Sequence, residues 1–168
     1  EAAASSTTLM QWEFAFLATF GSLAARAGER ATARTVLDRL AAGGLARLAR
    51  SSSWLIGMVV IVETAAELGD RAVAAEARAL LAPFAGRPVM PSLAVVCLGS
   101  VERSLGLAAQ TLGEVDAAVA HYERALAADR RLGHRPMTAV AQADLAAALQ
   151  HRGAPGDAER AADLLAHA

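Results

Sequence analysis

Apolar side chains along this chain return at helical spacing, in stretches broken at regular intervals by glycine, proline and short polar runs. Eight helices are predicted, over about 7–27, 30–42, 52–68, 70–82, 92–112, 114–132, 136–152 and 156–167. No stretch sustains a period of two with β-branched enrichment, so no sheet is expected. Brief joints at Gly28, Gly69, Gly113 and Gly153 divide the helices into four pairs. The longer joints AAGGLARLARSSS, PFAGRPVMP and RLGHRP separate one pair from the next. Joints this short make consecutive helices antiparallel neighbours.

The four glycines lie 41, 44 and 40 residues apart. A near-constant period in this range is the mark of a solenoid, in which each unit covers the apolar face of the next. Two positions repeat with it. A small residue follows the glycine at Ala33, Ala74 and Ala118, and at Ala161 once the restart of the last helix at Gly156-Asp157 is allowed for. A large one precedes each glycine by eight positions, at Phe20, Ile61, Leu105 and Leu145. The expectation is all-α, about four antiparallel helix pairs, with small residues where helices approach closely.

The third unit, LGLAAQTLGEVDAAVAHYERALAAD, closely resembles the tetratricopeptide repeat. Leu105-Gly106, the turn glycine Gly113, the small Ala118, the aromatic Tyr122 and the closing Ala125-Leu126 carry the resemblance; Glu102, Ala109 and Arg130 depart from it. The resemblance implies a right-handed superhelix whose first helices line an inner face that binds peptides or ligands. The longer run from Ala66 to Leu165 is similar to the C-terminal repeat region of actinobacterial signal-transduction ATPases, including LuxR-type regulators and cyclase-linked ATPases. It implies that residues 1–168 form one repeat domain, a fragment of a larger protein, with neither ATPase nor output module in this chain.

Composition narrows the choices. Alanine supplies 44 residues and aromatics only 4%, so the 55% apolar content is mostly small side chains, suited to close helix packing rather than a thick core. A net charge of −1, with all 16 basic residues arginine, gives no general attraction for nucleic acid or an anionic membrane. The strongly apolar run Trp54–Val62 is well short of the ~20 residues a spanning helix needs, and no signal peptide is visible. Cys97 is the lone cysteine, so no intrachain disulfide forms; it reads as a small buried hydrophobe, and a cytoplasmic location is expected.

Chemistry-bearing patterns are sparse. With no lysine there is no phosphate-binding loop of the Walker type. Gly99 and Gly106 fall in an apolar helical pattern and read as close-approach positions. His121, His134, His151 and His167 are unpaired at helical ligand spacing, so no metal site is expected. Glu63 and Glu67 share a helix face, but nothing nearby would split their pKa values into an acid and a base. Arg130, Arg131 and Arg135 around His134 are expected to satisfy the last carbonyls of the preceding helix. No catalytic residue, cofactor or enzyme activity is predicted.

Trp12, Phe16 and Phe20 recur on the first helix, with Leu9 and Leu23 extending the stripe. The favoured reading is a wide apolar face packed on helices two and three; the other is a face that packs on a preceding part of the parent. The family's inner face, transferred by register, selects Glu63 and Glu67 on the third helix, Arg103, Leu107 and Gln110 on the fifth, and Asp144, Ala147, Gln150 and His151 on the seventh. A solvated side of amphipathic helices competes with that assignment. The function expected is a scaffold binding a protein, a peptide or other parent domains. The alternative is a sensor holding a small effector in the groove, and homodimerisation through exposed solenoid ends is a further expectation.

Overall fold

The computed structural model describes residues 11–91 and 96–168, with nothing stated of the side chains of residues 11–13. Among these residues are eight α-helices: α1 (Gln11–Arg26), α2 (Arg30–Ala41), α3 (Trp54–Leu68), α4 (Arg71–Leu81), α5 (Val101–Thr111), α6 (Val115–Arg131), α7 (Arg135–Arg152) and α8 (Asp157–Ala166). Each packs on its neighbours in sequence, and α1 on α3 and α3 on α5 besides. This is an all-α, tetratricopeptide-like helical-repeat solenoid.

The turn glycines are equivalent corners. Gly28, Gly69, Gly113 and Gly153 all hold positive φ, between 65° and 81°, a conformation open to a residue without a Cβ. At the first three the chain closes in the same way. The glycine N–H bonds back three residues and the next N–H bonds back five, to Ala25 and Ala24, Ala66 and Ala65, and Gln110 and Ala109. This is the Schellman closure of a helix end. The fourth corner differs: Gly153 N–H reaches Leu149 O, while the Ala154 N–H turns instead to the Asp157 carboxylate at 3.0 Å. Pro155 lengthens this joint.

Ala33, Ala74, Ala118 and Ala161 are all fully buried, so the small position does mark close helix approach. Glycines inside helices serve the same end. A Cβ on Gly106 would stand 2.7 Å from the ring of Tyr122, and one on Gly57 would collide with the ring of Phe14. The buried side chains form two main clusters. One runs from Phe14 on α1 to Ala108 on α5, the other from Ala109 on α5 to Ala161 on α8.

Five expectations need correction. The fifth helix starts at Val101, not near 92, with the Ser100 hydroxyl capping the Glu102 N–H at 3.2 Å. Gly99 is outside any helix, at φ 81°. The segments around Val89 and Gly99 pair antiparallel, with Val89 N–H to Gly99 O at 2.8 Å and Leu98 N–H to Val89 O at 2.9 Å. Pro88 and Pro91 and the β-branched Val89 and Val96 favour extended backbone over helix. Phe16 and Phe20 are 68% and 46% exposed; α1 buries Phe14 and Ala18 instead. Leu9 and the Trp12 side chain lie outside the described residues. Cys97 is half-buried rather than buried. Arg130, Arg131 and Arg135 are exposed, and the carbonyls at the end of α6 are met by backbone, Gly133 N–H to Arg130 O and His134 N–H to Asp129 O.

Arginines do satisfy helix ends elsewhere. Arg30 donates to the Glu67 and Leu68 carbonyls at 2.8 and 3.5 Å, and Arg71 to the Leu112 carbonyl at 2.6 Å. Both stand two residues after a corner glycine. Each therefore ties the second helix of its unit to the end of the next unit's first helix.

Candidate functional site

Polar side chains on the first helices of successive units meet. The Ser22 hydroxyl donates to Glu63 Oε2 at 3.4 Å, Arg103 Nη1 to Glu63 Oε1 at 3.2 Å, and Arg103 Nε to Asp144 Oδ2 at 2.6 Å. These partners are separated by 41, 40 and 41 residues, and the ladder of bonds crosses α1, α3, α5 and α7. Counted back from the corner glycines, Ser22 and Glu63 are equivalent at six, whereas Arg103 and Asp144 stand ten and nine before theirs, about one turn further up their helices. Arg26 adds a looser contact to Glu63 Oε2, at 3.7 Å.

Arg103 is the centre of this ladder. Its side chain is only 16% exposed. Burial works against its charge, but the flanking Asp144 and Glu63 outweigh it and hold the guanidinium above its ordinary pKa. Tyr122 lies nearby, its hydroxyl donating to Gln110 Oε1 at 2.9 Å. Burial, with the Asp144 charge adding and Arg103 opposing, pushes the phenol well above its usual value, so it stays a neutral donor.

Six of the nine residues selected by register, Glu63, Glu67, Arg103, Leu107, Gln110 and Asp144, line one groove of 460 Å³ together with Arg26. Three carboxylates here face two guanidinium groups, which leaves an excess negative charge. Glu67 is exposed and enters no salt bridge among the described residues. The groove reaches α7 only at Asp144. Ala147, Gln150 and His151 are exposed on later turns and do not line it.

Beside this polar groove lies an apolar one of 320 Å³, floored by Ile56, Val59, Val60 and Met137 and edged by Leu23, Leu98 and Val140. The two share Arg26, Glu63 and Arg103. Leu98 reaches the apolar groove because its segment is extended rather than helical. Ser22 and Arg26, absent from the register-based selection, carried a signal in the sequence. Ser22 and Glu63 each stand six residues before a corner glycine, and Arg26 and Glu67 each two before.

Other polar clusters are structural. Glu102, buried at 7%, receives Arg124 Nε at 3.0 Å and lies 2.7 Å from His121 Nδ1. Asp129 is fully buried, and neither carboxyl oxygen has a hydrogen-bond partner among the described residues. Burial raises its pKa; the charge of His134, the Ser100 amide and Arg103 pull the other way without prevailing. Among the described residues no three His, Cys, Asp or Glu gather as metal ligands, and no helix is long and apolar enough to cross a membrane.

The corners, the small-residue contacts and the inner ladder define a helical-repeat protein. Residues 98–164, which carry α5 to α7 and most of α8, match the tetratricopeptide repeat family model. Repeats of this family generally mediate protein–protein contacts. No curated protein and no solved structure gives a significant match to the chain.

Proposed function

We propose that the chain is a non-catalytic interaction scaffold that holds a protein or peptide segment across the inner face formed by α1, α3, α5 and α7. Its parent, on the resemblance given above, is a cytoplasmic signalling ATPase or transcription regulator, whose own domains are candidate partners. The supporting observation is the pair of contiguous grooves. An acidic strip with Glu67, unpaired among the described residues, runs directly alongside an apolar trough, so a segment bearing apolar side chains next to a cation could satisfy both. A sensor of a small effector is the second reading. It is favoured by the size of the polar groove, within the ~300–1,000 Å³ of small-molecule sites.

The test is selection of binders from a displayed random-peptide library, with affinities measured by calorimetry. Glu67→Arg and Val140→Asp, both at exposed positions, are expected to weaken the selected peptides by at least about tenfold, the effect of losing one good contact. Equal binding by both variants would refute the scaffold reading at this face. A metabolite that saturates and raises Tm, with no peptide selected, would favour the sensor. Turnover lost on replacing Glu63 or Asp144 would identify an enzyme instead.

A further inference from the structure

A second surface, apart from the inner grooves, follows from counting back from each corner glycine. The residues twelve, eight and five positions before it are Gly57, Ile61 and Thr64 on α3, Val101, Leu105 and Ala108 on α5, and Ala141, Leu145 and Ala148 on α7. All nine are buried. The same positions on α1 are Phe16, Phe20 and Leu23, exposed at 68%, 46% and 61%. Among the described residues three equivalent stripes are covered and the fourth, which is the bulkiest, is open.

The covered stripes say what kind of surface fits the open one. On α3, Gly57 meets the Phe14 ring, and Thr64 lies close to Gly21, both on the buried side of α1. On α5, Val101, Leu105 and Ala108 join the cluster that holds Ala74 and Ala77 of α4. On α7, Ala141, Leu145 and Ala148 join the cluster that holds Ala118 and Ala125 of α6. The stripe is met by the helix pair before it: on α3 by the first helix of that pair, α1, and on α5 and α7 by a cluster to which the second helix of the pair contributes alanines. Large side chains on α1 demand still smaller ones opposite, since interhelical distance is set by the residues at the contact.

We propose that Phe16 and Phe20 form a docking site for a further helix of the same build as α4 and α6: amphipathic, with an alanine seam, seated on α1 as α4 is seated on α5. The site continues an interface the molecule already uses twice, at α4–α5 and α6–α7. Leu23 also borders the apolar inner groove, so Phe16 and Phe20 are the residues that isolate this surface from the one proposed above.

The experiment uses a fluorescein-labelled synthetic peptide with the sequence of residues 70–85, which contains α4, and anisotropy titration with the full chain. Saturable binding is expected. Phe20→Arg and, separately, Phe16→Arg should weaken it by at least about tenfold, the loss of one aromatic anchor, with circular dichroism and Tm unchanged because both side chains are exposed. A peptide carrying Ala77→Leu should lose affinity by a similar factor, since it fills the seam. Undiminished binding by the Arg variants, or no binding by a monomeric chain, overturns the proposal. So does a dimer that either Arg substitution dissolves, which would assign the stripe to a second copy. Binding seen only after residues 1–9 are removed would assign it to the chain's own leading segment, and overturn it too.

Discussion

Gly106→Ala is the substitution that best separates packing from propensity. Gly106 lies inside α5 with ordinary helical backbone, so alanine should stabilise the helix by about 0.8–1 kcal/mol on propensity alone. Packing has the opposite sign. The new Cβ would stand 2.7, 2.8 and 3.1 Å from Cε1, Cδ1 and Cζ of Tyr122, well inside the ~3.5–4.0 Å of a comfortable carbon contact. The ring cannot slip aside freely, being 1% exposed and tied through its hydroxyl to Gln110. Overpacking of this kind costs about 1–3 kcal/mol, and a lost hydrogen bond about 1 more. The net expectation is a loss of about 1–3 kcal/mol, or about 2–4 °C in Tm for each kcal/mol in a chain of this size. Urea unfolding and calorimetry would measure it. In a Tyr122→Leu background the same change should cost less, because the ring it meets is gone. A rise in Tm for Gly106→Ala alone would refute the close-approach argument.

Three other outcomes are expected. Arg103→Met leaves Glu63 and Asp144 without their shared cation, and unfolding free energy should fall by about 1–3 kcal/mol, less than for a fully buried pair because both carboxylates keep some solvent; no change would mean the ladder is ornamental. Asp129→Asn should raise Tm near neutral pH. The folded state holds this carboxyl above 3.8, so stability falls as pH rises through that window, and the gain from Asn should vanish below it; a gain that persists in acid would refute the assignment. Asp70 is the reverse case. Burial alone would raise its pKa, but the Val73 N–H, the bond and charge of Arg34, and the Ala72 N–H bring it below 3.8. Its contribution is present above that value and lost as pH falls through the folded one, so Asp70→Asn should lower Tm near neutrality and flatten that part of the acid transition.

The repeat was legible because its signals are local. A corner needs glycine, and close approach needs alanine, so Gly28, Gly69 and Gly113 and their alanines could be aligned without coordinates. The α4–α5 joint was not legible by periodicity. The apolar run around Cys97 suits a buried helix as well as an extended segment, and pairing with Val89, a tertiary fact, decides it. The aromatic stripe failed for a related reason. Phe16 and Phe20 have helical spacing, but so does Phe14 with Ala18, and only the collision-free space at Gly57 shows which face turns inward. Six of the nine residues selected by register line one groove, yet register carries no information on how far that groove runs, which is why Ala147, Gln150 and His151 stand beyond it.

α5 belongs to both buried clusters, contributing Leu105 and Ala108 to one and Ala109 to the other. A stack held together only between neighbours unfolds in blocks, and here the blocks share a single short helix. Hydrogen exchange should therefore report two opening events, with the amides of α5 protected until the later one. Arg103 lies on that same helix, so a segment bound in the groove would span the seam between the two halves and tie their opening together.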